Sequence, residues 1–328
     1  MTAALPGEPT FRCARSSVLR DEVVAGTAST VRAYLLIEHP GSWGEDALRD
    51  ARLPDGLGPE LRRRALEARI RVLLIRRTGR RPASDGTTVF AAHAHPYRPW
   101  IERGTVTNPA DVLDLDFFDL RAGHPTSLTP HEESLFCVCT HGRHDACCAE
   151  LGRPVVTALS AAHPEETWEV SHIGGDRFAG NLLVLPNGLY YGRLDPAAAV
   201  AVAGAHMAGE LDLDHFRGRS GFPTPVQAAE IALRRQLGET REGALRLEHR
   251  QTEGVDTEAV FVVGGDEYVD ARATVVSLVA AHPRVSDGGC RPRCAEGSGC
   301  PERPCRSVAA AARSRRSARG RRTTLRRR

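Results

Sequence analysis

The stretch Phe136-Cys-Val-Cys-Thr-His-Gly-Arg-His-Asp-Ala-Cys-Cys148 places four of the chain's nine cysteines within twelve residues. It begins inside an apolar run, residues 134–139, that reads as a strand, and it ends where a helix is predicted over residues 148–162. A second strand is predicted over residues 167–172 and runs into Ser171-His-Ile-Gly-Gly-Asp-Arg-Phe-Ala-Gly180. Beyond a short loop, Leu182-Leu-Val-Leu-Pro186 and residues 189–194 read as two strands. Asn187-Gly188 between them is a strong hairpin signal, because both turn positions need a left-handed backbone. Pro196 then opens an alanine-rich helix to about residue 209.

The resulting order, β-α-β-(α)-β-β-α, predicts a thioredoxin-like central domain over residues 131–245. In a right-handed βαβ unit both parallel strands end at the same edge of the sheet. Cys139 and His172 each end such a strand, so the thiol-rich loop and the His-Gly-Gly loop are expected to face each other.

Working toward the N-terminus, residues 33–38 and 70–75 read as strands, and residues 45–51 and 61–69 as helices. Residues 88–94, 100–107 and 112–118 are predicted as further strands. The alternation suggests an N-terminal α/β domain over residues 1–130, with a mixed sheet, packed with the central one. His39 and Trp43 read as turn and core residues, and Cys13 as an isolated thiol. Toward the C-terminus, a helix is predicted over residues 226–237. Strands over 244–251, 259–263 and 268–279 are expected to complete the fold within residues 246–284.

The 328 residues contain no lysine, and all 44 basic residues are arginine. From Cys290 onward, 13 Arg face Glu296 and Glu302, a charge of +11. The total is +3, so the preceding residues carry −8. Arginine richness on that scale reflects composition, so nucleic acid is not the expected partner. Residues 285–328 carry Cys290, Cys294, Cys300 and Cys305, then an arginine-rich run, and are expected to be disordered. The spacing of those four cysteines lacks the paired C-x2-C of a zinc knuckle. There is no run of membrane-span length and no secretory leader, so a cytoplasmic protein without a membrane partner is expected. Thiols stay reduced there, and clustered cysteines then point to metal or redox chemistry.

Thiolates and imidazoles converging from two loops suit zinc or an iron–sulfur cluster. Cys139 and Cys148, with eight residues between them, can reach one centre from both ends of a loop. His172 supplies an imidazole, and Asp176 supplies an oxygen ligand or an acceptor behind the histidine. Gly174 and Gly175, without Cβ atoms, let backbone approach a cofactor closely. Cys137 lies on the same face of its strand as Cys139 and is a reserve ligand. Cys147 is read as a partly buried thiol, and His141 and His144 as loop residues able to tune the site.

The runs Cys139-Thr-His-Gly-Arg-His-Asp-Ala-Cys-Cys148, Trp168-Glu-Val-Ser-His-Ile-Gly-Gly-Asp-Arg-Phe-Ala-Gly-Asn181 and Leu183-Val-Leu-Pro-Asn-Gly-Leu-Tyr-Tyr-Gly-Arg193 resemble the sucrase/ferredoxin-like family. The likeness extends more loosely over residues 10–280, including Leu35-Leu-Ile-Glu-His-Pro-Gly-Ser-Trp-Gly44. It implies a thioredoxin-like ferredoxin domain with one [2Fe–2S] cluster held by two cysteines and two ligands from the His-Gly-Gly loop. Family members carry His-x3-His in that loop, where this chain has His172 and Asp176. The fourth ligand therefore stays open between Asp176, Cys147 and Cys137. The function implied is single-electron transfer, with electrons from a separate reductase and passed to an acceptor protein. No GxGxxG fingerprint follows a strand to suggest a flavin or nicotinamide site in the chain itself. The competing class is a zinc protein or a thiol–disulfide exchanger using the same loop.

Overall fold

The computed structural model describes residues 11–79, 86–254, 256–264, 267–274 and 309–312. It is a mixed α/β structure dominated by one ten-stranded sheet. The N-terminal half contributes helix α1 (Cys13–Leu19), strand β1 (Ala33–Glu38) and helices α2 (Ala47–Asp50) and α3 (Leu57–Ala68). Strands β2 (Arg71–Arg76), β3 (Thr87–His93) and β4 (Trp100–Val106) follow, then helix α4 (Phe117–Ala122) and the short strand β5 (Thr129–Pro130). β1 pairs parallel with β2 and antiparallel with β3. Its consecutive residues Leu35 and Leu36 enter different apolar clusters, as the period of two requires.

The central segment runs through β6 (Leu135–Cys139), α5 (Ala146–Ala162), β7 (Thr167–Val170), β8 (Leu182–Leu185), β9 (Leu189–Tyr191), α6 (Pro196–Met207) and β10 (Phe216–Arg219). β6 and β7 are parallel, with Cys139 opposite Val170. β8 lies antiparallel on the other side of β6, and β9 antiparallel to β8. The hairpin expected at Asn187-Gly188 is present, but Pro186-Asn187-Gly188 connect the strands and only Gly188, at φ 65°, is left-handed. The complete order is β10-β9-β8-β6-β7-β2-β1-β3-β4-β5. Antiparallel pairing of β2 with β7, Ile75 opposite Val170, carries the sheet across the boundary expected at residue 130.

One predicted strand is absent. Residues 112–118 were expected to extend, but they fall into a 3-10 turn (Pro109–Asp114) and the start of α4. Asn108 and Asp111 form a reciprocal capping box, and Asp116 accepts from the backbone N–H of Phe118 and Asp119. These caps settle a short apolar run that has no sheet partner to claim it.

Helix α7 (Thr224–Leu237) follows, and the last strands make a second sheet of their own: β11 (Leu245–Glu253), β12 (Asp256–Val263), β13 (Glu267–Thr274) and β14 (Ala309–Ala312). Phe222, Val226, Ala229 and Leu233 bury against Leu245, Ala259 and Phe261 to join that sheet to α7. The expected strand end at 275–279 lies outside the described residues. Of residues 285–328, expected to lack structure, 309–312 are described, as β14. The four cysteines of that segment are outside the described residues.

Candidate metal centre

Two loops leave the sheet at the shared edge of β6 and β7. The first is short because Asp145 ends it, capping α5 by accepting from the backbone N–H of Cys147 at 2.8 Å. Cys147 and Cys148 thereby fall in the first turn of the helix. Gly152, one turn further, allows α5 to lie against the end of β6, since a Cβ there would meet the Cys139 carbonyl oxygen at 2.1 Å. Cys148 is thus brought back to Cys139. The Sγ atoms of Cys139 and Cys148 and a ring nitrogen of His172 lie within 4.8 Å of one another. Asp176 Oδ1 stands 2.8 Å from His172 Nδ1 and accepts from Cys148 Sγ at 3.1 Å.

The His-Gly-Gly loop is held by its carbonyls, four in succession. Arg71 donates to His172 O at 2.9 Å and Ser29 to Ile173 O at 3.0 Å. Arg217 donates to Gly174 O at 2.9 Å, and Asn181 to Gly175 O at 2.8 Å. Four side chains, three of them far away in sequence, therefore set one loop, which satisfies its backbone and removes most of its freedom. Gly174 and Gly175 have φ 94° and 85°. A Cβ on Gly175 would lie 2.2 Å from Arg217 Nη2. The bare backbone there admits a fully buried guanidinium.

The imidazole of His141 ties the loops together. Its Nε2 donates to Gly44 O at 2.9 Å while Nδ1 accepts from the backbone N–H of His172 at 3.2 Å. The Trp43 ring meets it edge-on at 5.6 Å. His144 lies over His172 with ring centroids 3.8 Å apart, and its Nδ1 donates to Glu45 O at 3.1 Å. A cleft of about 300 Å³, lined by Arg62, Arg71, His141, His144 and His172, opens this side of the site to solvent.

Electrostatics couple the group. The hydrogen bond with Cys148, followed by the His172 imidazole, pulls the Cys139 thiol well below its ordinary value. Cys148 moves up, because it shares its proton with that thiolate and is buried beside Asp176. Burial works against protonation of His172, but Asp176 and Cys139 outweigh it and raise the imidazole to about 9. Burial also opposes ionisation of Asp176, and His172 overcomes that to lower it. Without metal, a thiolate, an imidazolium and a carboxylate thus share a pocket in which both cysteines are buried.

Cys139, Cys148, His172 and Asp176, all singled out from the sequence, come together here. Cys137 does not: it is packed in the core among Trp168, Leu183 and Leu185, and burial pushes its thiol up to about 12. Cys147 turns away to Cys13, its Sγ 3.5 Å from that of the other. The residues the sequence did not single out are Arg217, Asn181, Arg71 and Ser29. Arg217, Arg71 and Ser29 are common residues far away in sequence, and Asn181 only closes the run that begins at Trp168; the part each plays is visible only in three dimensions.

The chain belongs to the sucrase/ferredoxin-like family, whose model matches residues 24–218. That segment holds both loops and the strands of the large sheet except the last residue of β10. Among curated proteins and solved structures, none matches.

Proposed function

We propose that this family member is an electron carrier whose centre holds one [2Fe–2S] cluster through Cys139, Cys148, His172 and Asp176. The convergence of two buried thiols and an imidazole on one point, with a carboxylate at contact distance, carries this reading. The strand order β7-β6-β8-β9, with α5 crossing between two parallel strands, supports a thioredoxin-like description of the central segment. The donor set also fits the group, since soft thiolates and imidazole suit iron–sulfur ligation.

Bound there, the cluster supplies a one-electron couple. The protein's part is to hold and insulate it. Cys139 and Cys148 anchor from the sealed side, where both are at most 1 % exposed. His172 lines the cleft, and it and Asp176 are each about a quarter exposed, so the way in and out for an electron is through the His172 edge. An imidazole in place of a thiolate lowers the negative charge at the centre and favours its reduction. The tethered carbonyls of residues 172–175 keep the ligand loop from reorganising. Electrons come from a separate reductase and leave to a separate acceptor, both docking over the cleft.

Single replacements test the assignment. Cys139→Ser and Cys148→Ser are each expected to abolish cluster assembly, whereas Cys137→Ser and Cys147→Ser keep the iron and the electron paramagnetic resonance signal of the reduced protein. An intact signal in Cys148→Ser would overturn the ligand set.

A further inference from the structure

Behind the centre, on the far side of the first turn of α5, a second set of donors converges. Cys13 Sγ donates to Asp145 Oδ2 at 3.2 Å and lies 3.5 Å from Cys147 Sγ. All three ligand atoms fall within 4.8 Å of one another. None of them is needed by the centre already described. Asp145 spends Oδ1 on the helix cap and leaves Oδ2 turned to the thiols. Cys13 opens α1, which is moored here by Arg12, whose guanidinium grips Glu150 of α5 with bonds of 2.7 and 2.6 Å. Ala14 and Ala179 pack around the pair of sulfurs, and Cys147 is 2 % exposed.

We propose that Cys13, Asp145 and Cys147 form a second metal site, for a thiophilic divalent cation of the size of zinc. Tetrahedral zinc, with Zn–S of about 2.3 Å and Zn–O of about 2.0 Å, sets two sulfurs about 3.8 Å apart and a sulfur and an oxygen about 3.5 Å apart. The observed 3.5 and 3.2 Å are short of those edges by a few tenths of an ångström. A disulfide would need the sulfurs at about 2.0 Å, a much larger movement. The chemistry points the same way. A carboxylate beside two thiols makes each thiolate costly until a cation replaces the protons. Cys13 is only half-buried, which leaves the fourth coordination position open to water. The ion would pin α1 to α5 one residue away from Cys148, and so brace the ligand helix from outside.

Zinc content separates this site from the first. Full-length protein prepared without oxygen is equilibrated with buffered zinc, and zinc and iron are counted for wild type, Cys13→Ser and Asp145→Asn. Asparagine keeps the helix cap through its Oδ1 and removes the anionic oxygen, so it tests the site without unfolding the helix. The expected result is one fewer zinc in Cys13→Ser with iron unchanged. In Asp145→Asn, zinc affinity should fall by more than the roughly 10–100-fold that accompanies loss of an outer partner. Cobalt in place of zinc should show a thiolate charge-transfer band that Cys13→Ser lacks. Equal zinc in wild type and Cys13→Ser, loss of iron together with zinc, or a Cys13–Cys147 disulfide in the fresh protein would each overturn the proposal.

Discussion

Asp176 Oδ1 lies 2.8 Å from His172 Nδ1, joined to it across a double glycine by four residues of sequence. The same oxygen accepts from Cys148 Sγ at 3.1 Å, so one carboxylate touches both loops of the centre. As a ligand it is harder and more negative than an imidazole, which favours the oxidised state. Asp176→His is therefore expected to keep the cluster, raise its reduction potential and make that potential more dependent on pH. Asp176→Ala is expected to lose it. Redox titration across pH with electron paramagnetic resonance decides; a full cluster with unchanged spectrum and potential in Asp176→Ala would remove Asp176 from the ligand set.

Metal loading should depend on pH in two regimes. In the metal-free protein His172 is protonated up to about 9, and Cys148 keeps its proton beyond that, while Cys139 is already a thiolate. Binding below pH 9 then releases about two protons, from His172 and Cys148, and above it about one. Affinity rises with pH throughout, and its slope should fall near pH 9. The sign for stability is the reverse. The raised value of His172 stabilises the metal-free fold fully below about pH 6.5, and that contribution is lost as pH rises through about 9. Chelator competition and thermal melts between pH 6 and 10 check both; a slope constant across that range would contradict the first.

Arg217 is the hidden support of the ligand loop. Besides Gly174 O it donates to Asn181 Oδ1 at 2.8 Å, Thr27 O at 2.7 Å and Thr27 Oγ1 at 3.1 Å. Arg217→Met strands these buried acceptors and should cost roughly 2–4 kcal/mol. Gly175→Ala forces a Cβ onto the same guanidinium at positive φ and should cost roughly 1–3 kcal/mol from the backbone alone. Both should weaken metal retention as well as lower the melting temperature. Unchanged stability in Arg217→Met would show that the loop does not depend on it.

The convergence of Cys139, Cys148, His172 and Asp176 was legible because their chemistry is rare and their positions are local. Cys139 ends an apolar strand, His172 follows another, and parallel pairing puts such ends together. The fold around them was legible where period and punctuation agree, as at Asn187-Gly188 or in the buried run of β1. Arg217 was not, because one arginine among 44 carries no signal in a chain without lysine. Nor was Cys13, whose partners are 132 and 134 residues away. Residues 112–118 are apolar enough for a strand, but the Asn108 and Asp116 caps turn their backbone into helical turns. Three strands of the second sheet were visible, but β14 falls in residues expected to lack structure, and the separation of this sheet from the first depends on α7 supplying a face to cover it.

Cys139, Cys148, His172 and Asp176 could hold either an iron–sulfur cluster, as proposed, or a single closed-shell ion, and the two differ in colour and in sulfide content. The most direct measurement is the ultraviolet–visible spectrum of protein purified without oxygen, with iron, sulfide and zinc determined on the same sample. The protein should be brown, with about two iron and two sulfide per chain at this centre, and its visible absorption should be bleached by dithionite and restored by air. A colourless protein, with zinc bound through Cys139 and Cys148 and no acid-labile sulfide, would contradict it.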